Sequence, residues 1–180
     1  MKNNINNLIA TPIAILFIAI SAQLSIHLPE SVSSIPITGQ SFAVLIIAHL
    51  MLEKWGSIVV GLYLLVGMLG APVFSDFSSG IAALTGPSGG YLIGFLIAAY
   101  TTGKMAKNQS PTFNKLLLQM ALGTVVILII GYIGLFRFLS PIEAFMKGVK
   151  PYLLGGLIKV LLASFLLWVY YQLKGLMNNN

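Results

Sequence analysis

The residue with the most chemical consequence is a lysine inside the last apolar run: Lys159, flanked by Leu157, Ile158, Val160 and Leu161. An ammonium at membrane depth costs roughly 2.5–3.5 kcal/mol on insertion scales, so such residues usually face a cavity or a partner. Here it can pair with a carboxylate or donate to the carbonyl of an amide or a urea. The plainer reading is that it snorkels outward along its helix. Asp76 is the sole acid between Gly70 and Ser88. Its carboxylate can accept two N–H bonds from a cyclic urea or neutralise Lys159 across a pocket; otherwise it is a solvated turn residue. Gln40 follows Pro36-Ile37-Thr38-Gly39 and either caps a helix or contacts a ligand. Tyr91, at a helix mouth after Gly86-Pro87-Ser88-Gly89-Gly90, is an interfacial anchor or stacks on a ring-shaped ligand. Phe74 and Ser88 come from the same stretch as Asp76 and complete the candidate binding set.

Other chemistries find little support. His27 and His49 have no metal-ligand spacing and no paired acids, and H-E-x-x-H does not occur. With four acids and no cysteine, general acid–base catalysis, disulfides and thiolate metal sites are all poorly supplied. No metal site, cofactor or enzymatic activity is expected. The Gly86–Tyr91 stretch is not a phosphate-binding loop, since G-x-x-x-x-G-K-[ST] is absent throughout the chain. Gly90, Gly94, Ala98 and Thr102 instead form a small-residue stripe at every fourth position, the pattern of close helix–helix approach in lipid. In the first apolar run Ala10, Ala14, Ile18 and Ala22 share one face, suited to docking against another helix within or beyond the subunit.

The elements that must position these residues are transmembrane helices. Of 180 residues 57% are apolar and 8% charged, about a third of the charge of a soluble domain. The net charge of +6 does not mark a nucleic-acid binder, because the basic residues are scattered between apolar runs. Hydropathy predicts a single all-α membrane domain over residues 1–180 with six spans: about 12–26, 37–52, 55–69, 89–104, 115–136 and 152–173. Several are short for a core of about 30 Å. Pro12 suits the first turn of the first helix, and no convincing small-x-small cleavage site follows that run, so it reads as retained. Glu53-Lys54 separates the second and third spans. Lys2, Lys54, Lys104, Lys107, Lys115 and Lys174 fall on one side, opposed by Glu53 alone. Arg137, Lys147 and Lys150 fall on the other with Glu30, Asp76 and Glu143. The bias puts both termini in the cytoplasm, although the 137–150 loop is more basic than an outer loop should be. The inner links are tight except near Asn108-Gln109-Ser110-Pro111. The outer ones, 27–39, 70–88 and 137–151, are long, and long loops with apolar residues of their own are usually packed lids. An outward-opening pocket under structured loops is the natural inference.

Four blocks carry a family resemblance: Ile35-Pro36-Ile37-Thr38-Gly39-Gln40, residues 67–77 (GMLGAPVFSDF), residues 86–95 (GPSGGYLIGF), and residues 151–159 (PYLLGGLIK). They resemble the biotin-specific substrate-binding (S) component of energy-coupling factor (ECF) transporters, in order and over nearly the whole chain. The resemblance implies a six-helix protein of the bacterial cytoplasmic membrane that captures biotin from outside. It implies two further kinds of partner, a transmembrane coupling subunit and a pair of cytoplasmic ATPases. It also implies that small residues of the first helix, matching Ala10, Ala14 and Ala22, dock the coupling subunit, and that Lys159 and the loop after the third helix contact substrate. One departure stands out. The family pattern places an acid three residues before the lysine, where this chain has Gly156. Either the carboxylate has moved to Asp76, a position more often neutral in the family, or the ligand has changed to a related acid such as lipoate or dethiobiotin. A ligand-free membrane scaffold is the alternative of a different class; it would be packed where a capture protein is hollow.

Overall fold

The computed structural model of the chain describes residues 2–33, 35–107 and 112–178, without the side chains of residues 2–4 and 178. The Lys2 side chain and the link at Asn108-Gln109-Ser110-Pro111 therefore lie outside the described residues. Four of the described helices are long and apolar enough to cross a membrane: α1 (Lys2–Gln23), α2 (Gln40–Met68), α5 (Phe113–Leu135) and α7 (Tyr152–Asn178). Between them stand α4 (Gly89–Ala106), the short α3 (Ile81–Thr85) and α6 (Pro141–Gly148).

Pro12 does not open the first helix, as its sequence position suggested; α1 starts ten residues earlier and carries Pro12 in its interior. The missing N–H leaves a backbone acceptor one turn back, a defect that membrane helices tolerate when side chains resupply donors. Beside it, the Thr11 hydroxyl donates to the Asn7 carbonyl at 2.9 Å. After α1 the chain forms a two-residue strand, β1 (Ser25–Ile26), antiparallel to β2 (Ile37–Thr38), with Ser25 opposite Thr38. This pairing closes the 27–39 loop and fixes Thr38 above the mouth of α2.

The second and third predicted spans are the two arms of α2. The break falls at Leu52, with φ 63° and ψ 179°, one residue before the charged pair Glu53-Lys54. A positive φ at a leucine is strained, and the packing around it over-determines the turn. Gly56 approaches Ala48 so closely that a Cβ on it would lie 2.9 Å from the Ala48 Cα, and a Cβ on Gly103 would lie 2.5 Å from the Glu53 backbone nitrogen. Contact between residues 48 and 56 is impossible along a straight helix, so the arms fold back on each other. At 1.5 Å per residue they extend about 18 and 24 Å.

The stripe on α4 packs as its spacing predicts. A Cβ on Gly90 would stand 2.9 Å from the Cα of Gly134, and one on Gly94 would stand 3.2 Å from that of Ile127, so α4 and α5 touch nearly backbone to backbone. Ala98 and Thr102 are fully buried on the same face.

The small face of α1 lies largely inside the chain's own packing. Ala14, Ile18 and Ala22 are buried in the chain's own core, and Ala10 packs partly against it. Gly39 comes so near α1 that its Cβ would meet the Ser21 carbonyl oxygen at 2.6 Å. Ala14 and Ala22 thus face the chain's own core, and Ala10 keeps part of its surface exposed.

The long loops are folded, as expected of lids. In the 70–88 loop a 3₁₀ turn (Ser75–Phe77) and α3 follow one another, and the Gln23 side chain clamps both the Phe74 carbonyl (3.0 Å) and the Phe77 N–H (3.0 Å). The 137–151 loop holds α6, which the hydropathy reading missed. Ser140 and Glu143 form a capping box with Pro141 in the first turn, and the S-x-x-E spacing is the local signal that marks it. Ser140 donating to the Glu143 carboxylate holds that carboxyl below its ordinary value.

Candidate functional site

The cavity lies where the start of α2, the first turns of α4, the middle of α5 and the first turns of α7 converge. It holds about 640 Å³ of space between protein atoms, open mouth included. Four of the six predicted contact residues line it: Lys159, Gln40, Tyr91 and Ser88.

Lys159 does not snorkel. Its Nζ donates to the Thr38 carbonyl at 2.7 Å and to the Ser41 hydroxyl at 3.1 Å. The β1–β2 pair holds that carbonyl over the helix mouth, so the ammonium is drawn across the cavity from α7 toward α2. Among the described lining residues it is the one charged group, and no carboxylate stands opposite it. An ammonium bears three donors; two are used, and the third remains for an oxygen acceptor in the cavity.

The ring-bearing wall is apolar and rigid. Tyr91 and Tyr152 lie with centroids 5.9 Å apart, and Phe95 and Leu92 continue the wall down α4. Both tyrosine hydroxyls are spent on backbone carbonyls, Tyr91 on Gly148 and Tyr152 on Ile35, so these residues present ring faces and not donors. Gly131 lies directly against the Tyr91 ring, which fixes its plane. Ser88 leans on the Ala83 carbonyl at 3.4 Å. Polar lining residues that the sequence reading did not single out are Ser41, Ser75 and Thr124. Thr124 is a hydroxyl in an otherwise apolar run and was findable on that ground; Ser41 and Ser75 carried no such signal.

The remaining two candidates are held away from this cavity. Phe74 is 2% exposed, stacked edge-on to Tyr63 at 5.5 Å and seated on Gly67, where any side chain would collide with its ring. It anchors the lid and does not line the site. Asp76 turns to the exposed surface, where it accepts from Ser25 Oγ and pairs with His27 Nε2, both at 3.0 Å. Its neighbour Ser75 faces the cavity instead, because the left-handed backbone at Asp76 (φ 56°) rotates the carboxylate outward. The expected pairing of Asp76 with Lys159 is thus replaced by an Asp76–His27–Ser25 cluster. Gly156 lies on the cavity wall; a Cβ there would be 3.4 Å from the Thr124 methyl, so the missing acid leaves space and not a clash.

A family model described as the BioY family matches residues 1–174. The chain belongs to the BioY family. Among its relatives, the probable biotin transporter BioY of Pyrococcus horikoshii is 35% identical over 147 residues, covering 80% of this chain and 85% of the relative. The biotin transporter BioY of Thermotoga maritima is 33% identical over 150 residues, 83% and 86% of the two chains. A crystal structure of the S-component for biotin from an ECF-type ABC transporter superposes with a TM-score of 0.83, over 95% of this chain and 93% of that one. At 23% identity that likeness speaks for the shared fold.

Proposed function

We propose that this BioY-family chain is the substrate-capturing subunit of a biotin importer, which takes biotin from outside and hands it to a separate ATP-driven coupling module. That module would comprise a transmembrane subunit and two cytoplasmic ATPases, in the cytoplasmic membrane of a bacterial cell. The observation that carries this reading is the cavity itself. A single cation without a protein counter-ion faces an aromatic wall, in a chain whose relatives are named for biotin transport. An acidic, ring-bearing ligand satisfies both features: an oxygen takes the free Lys159 donor, and a fused ring lies against Tyr91, Tyr152 and Phe95. The space beside Lys159 favours capture over a filled scaffold. Calorimetric titration of biotin into the detergent-solubilised protein tests it, with saturable one-to-one binding expected. Absence of binding overturns the reading.

One observation favours a second ligand. The described lining residues include no carboxylate to accept the N–H groups of a cyclic urea, and lipoate, which has no urea, requires none. Dethiobiotin keeps the urea and requires the same acceptors as biotin. Titrating lipoate and dethiobiotin beside biotin ranks the three.

The reading includes six crossings, made by α1, the two arms of α2, α4, α5 and α7, with both termini cytoplasmic. The lysine bias supports this orientation. Asp76→Cys should then react with an impermeant thiol reagent added to intact cells, while Lys174→Cys should be protected until the membrane is opened. The reverse pattern would overturn both the orientation and the direction of uptake.

A further inference from the structure

Tyr63, in the second arm of α2, does not line the cavity, yet it stands at the centre of a hydrogen-bonded chain that reaches it. The residue is fully buried, and Phe74 packs edge-on against its ring. Its hydroxyl has one proton, and the Val73 carbonyl, 2.9 Å away in the outer loop, can only accept. The proton therefore goes to Val73, and the phenolic oxygen must accept from its other partner, the Gln40 side chain. That settles which way the Gln40 carboxamide faces: Nε2 toward Tyr63, and Oε1 toward the Thr38 hydroxyl, which donates to it at 3.0 Å. Thr38 in turn offers its carbonyl to Lys159.

A primary amide nitrogen has two hydrogens. One is given to Tyr63. The other has no protein acceptor among the described residues, and Gln40 is a cavity-lining residue. Lys159 and Gln40 both line the cavity, and the donors they have left are the third proton of the ammonium and the second proton of the amide. Reversing the amide would turn an acceptor toward the ligand oxygen and set Oε1 against the Tyr63 oxygen with no proton between them.

Building on the ligand-capture reading above, we infer that Tyr63 is a positioning residue for the ligand. Its hydroxyl locks the Gln40 amide with a donor toward the cavity, and it ties that orientation to the Val73 carbonyl in the loop that carries Ser75 to the cavity wall. Occupation of the cavity and closure of the 70–80 loop then share one hydrogen-bonded path, which runs from Lys159 through Thr38, Gln40 and Tyr63 to Val73.

A double-mutant cycle on biotin binding tests this, with calorimetry on the unsubstituted chain, Tyr63→Phe, Gln40→Ala and the double variant. Tyr63→Phe keeps the ring and its packing but releases the amide. It should weaken binding about tenfold in the natural background and less than twofold when Gln40 is already alanine, because the residue acts through Gln40. A merely structural tyrosine weakens binding by the same factor in both backgrounds, and that additivity overturns the inference. If Tyr63→Phe is not recovered folded, Gln40→Glu takes its place. The carboxylate has no proton to give, draws the Tyr63 hydroxyl away from Val73 and removes the cavity donor, so binding should again fall about tenfold; unchanged binding overturns the inference. Failure of the unsubstituted chain to bind biotin overturns the functional reading, and this inference with it. Binding with additive losses overturns this inference alone.

Discussion

Lys159→Ala should weaken biotin binding by about ten- to a hundredfold, roughly 1.5–3 kcal/mol, the range of a hydrogen bond to a charged group. The expectation rests on the ammonium's position: bonded to Thr38 and Ser41, lining the cavity, and with no acid facing it among the described lining residues. Removing one partner of a desolvated charged contact costs more than the contact's net worth, because the other partner is left unmatched. Asp76→Asn provides the contrast. Its carboxylate is engaged with Ser25 and His27 on the exposed surface, so binding should stay within about twofold of the unsubstituted chain, the scale of a surface substitution. Gly156→Asp places an acid one turn before the lysine in a wall with room for its Cβ. The new carboxylate accepts urea N–H groups, so the preference for biotin over lipoate should rise. Calorimetry on the four proteins decides. Unchanged affinity in Lys159→Ala would show that the ammonium does not reach the ligand, and a tenfold loss in Asp76→Asn would return that carboxylate to the site.

Ala22→Trp should abolish recovery of folded protein. Ala22 has no exposed surface and follows Ser21, whose carbonyl oxygen lies where a Cβ on Gly39 would fall. Even extra methylenes in a packed core cost about 1–3 kcal/mol, and an indole at a fully buried alanine exceeds that. Leu16→Trp, on the exposed face of the same helix, should be recovered in normal yield and bind biotin normally, since it lies outside the packed seam. Size-exclusion profiles and melting temperatures in detergent separate the two variants. If Ala22→Trp folds and binds biotin while uptake in cells is lost, the small face serves a partner subunit after all and its packing role here is wrong.

Much of the architecture was legible in the sequence because lipid imposes a one-dimensional constraint. A chain that must satisfy its backbone internally across an apolar core announces its helices by length and composition. The starts of α4 and α7 fall where hydropathy places them, and the reversal at Leu52 falls one residue from the charged pair expected to mark it. The four-residue spacing of Gly90, Gly94, Ala98 and Thr102 foretold a close helix contact, because periodicity encodes which face packs. The lysine, a costly residue at depth, pointed to a cavity by its cost alone.

The direction in which a side chain faces was not legible. Small residues at every fourth position on α1 suit their own subunit as well as a foreign helix, and only the fold shows Ala14, Ile18 and Ala22 buried within the chain. Asp76 and Lys159 were a plausible ion pair by charge, until the positive φ at Asp76 turned the carboxylate to His27. The chain from Lys159 to Val73 was invisible for the same reason. Gln40 was a candidate by its place in the chain, but nothing in the types or spacing of Thr38 and Tyr63 marks them as its partners. Sequence alone determined that this protein is helical, built for a membrane and similar to a biotin S component, and it singled out one lysine at depth whose surroundings it left open. Tertiary structure decided which polar groups meet there, because hydrogen bonds depend on distances and angles that only the folded arrangement of β1–β2, α2, α7 and the outer loop fixes.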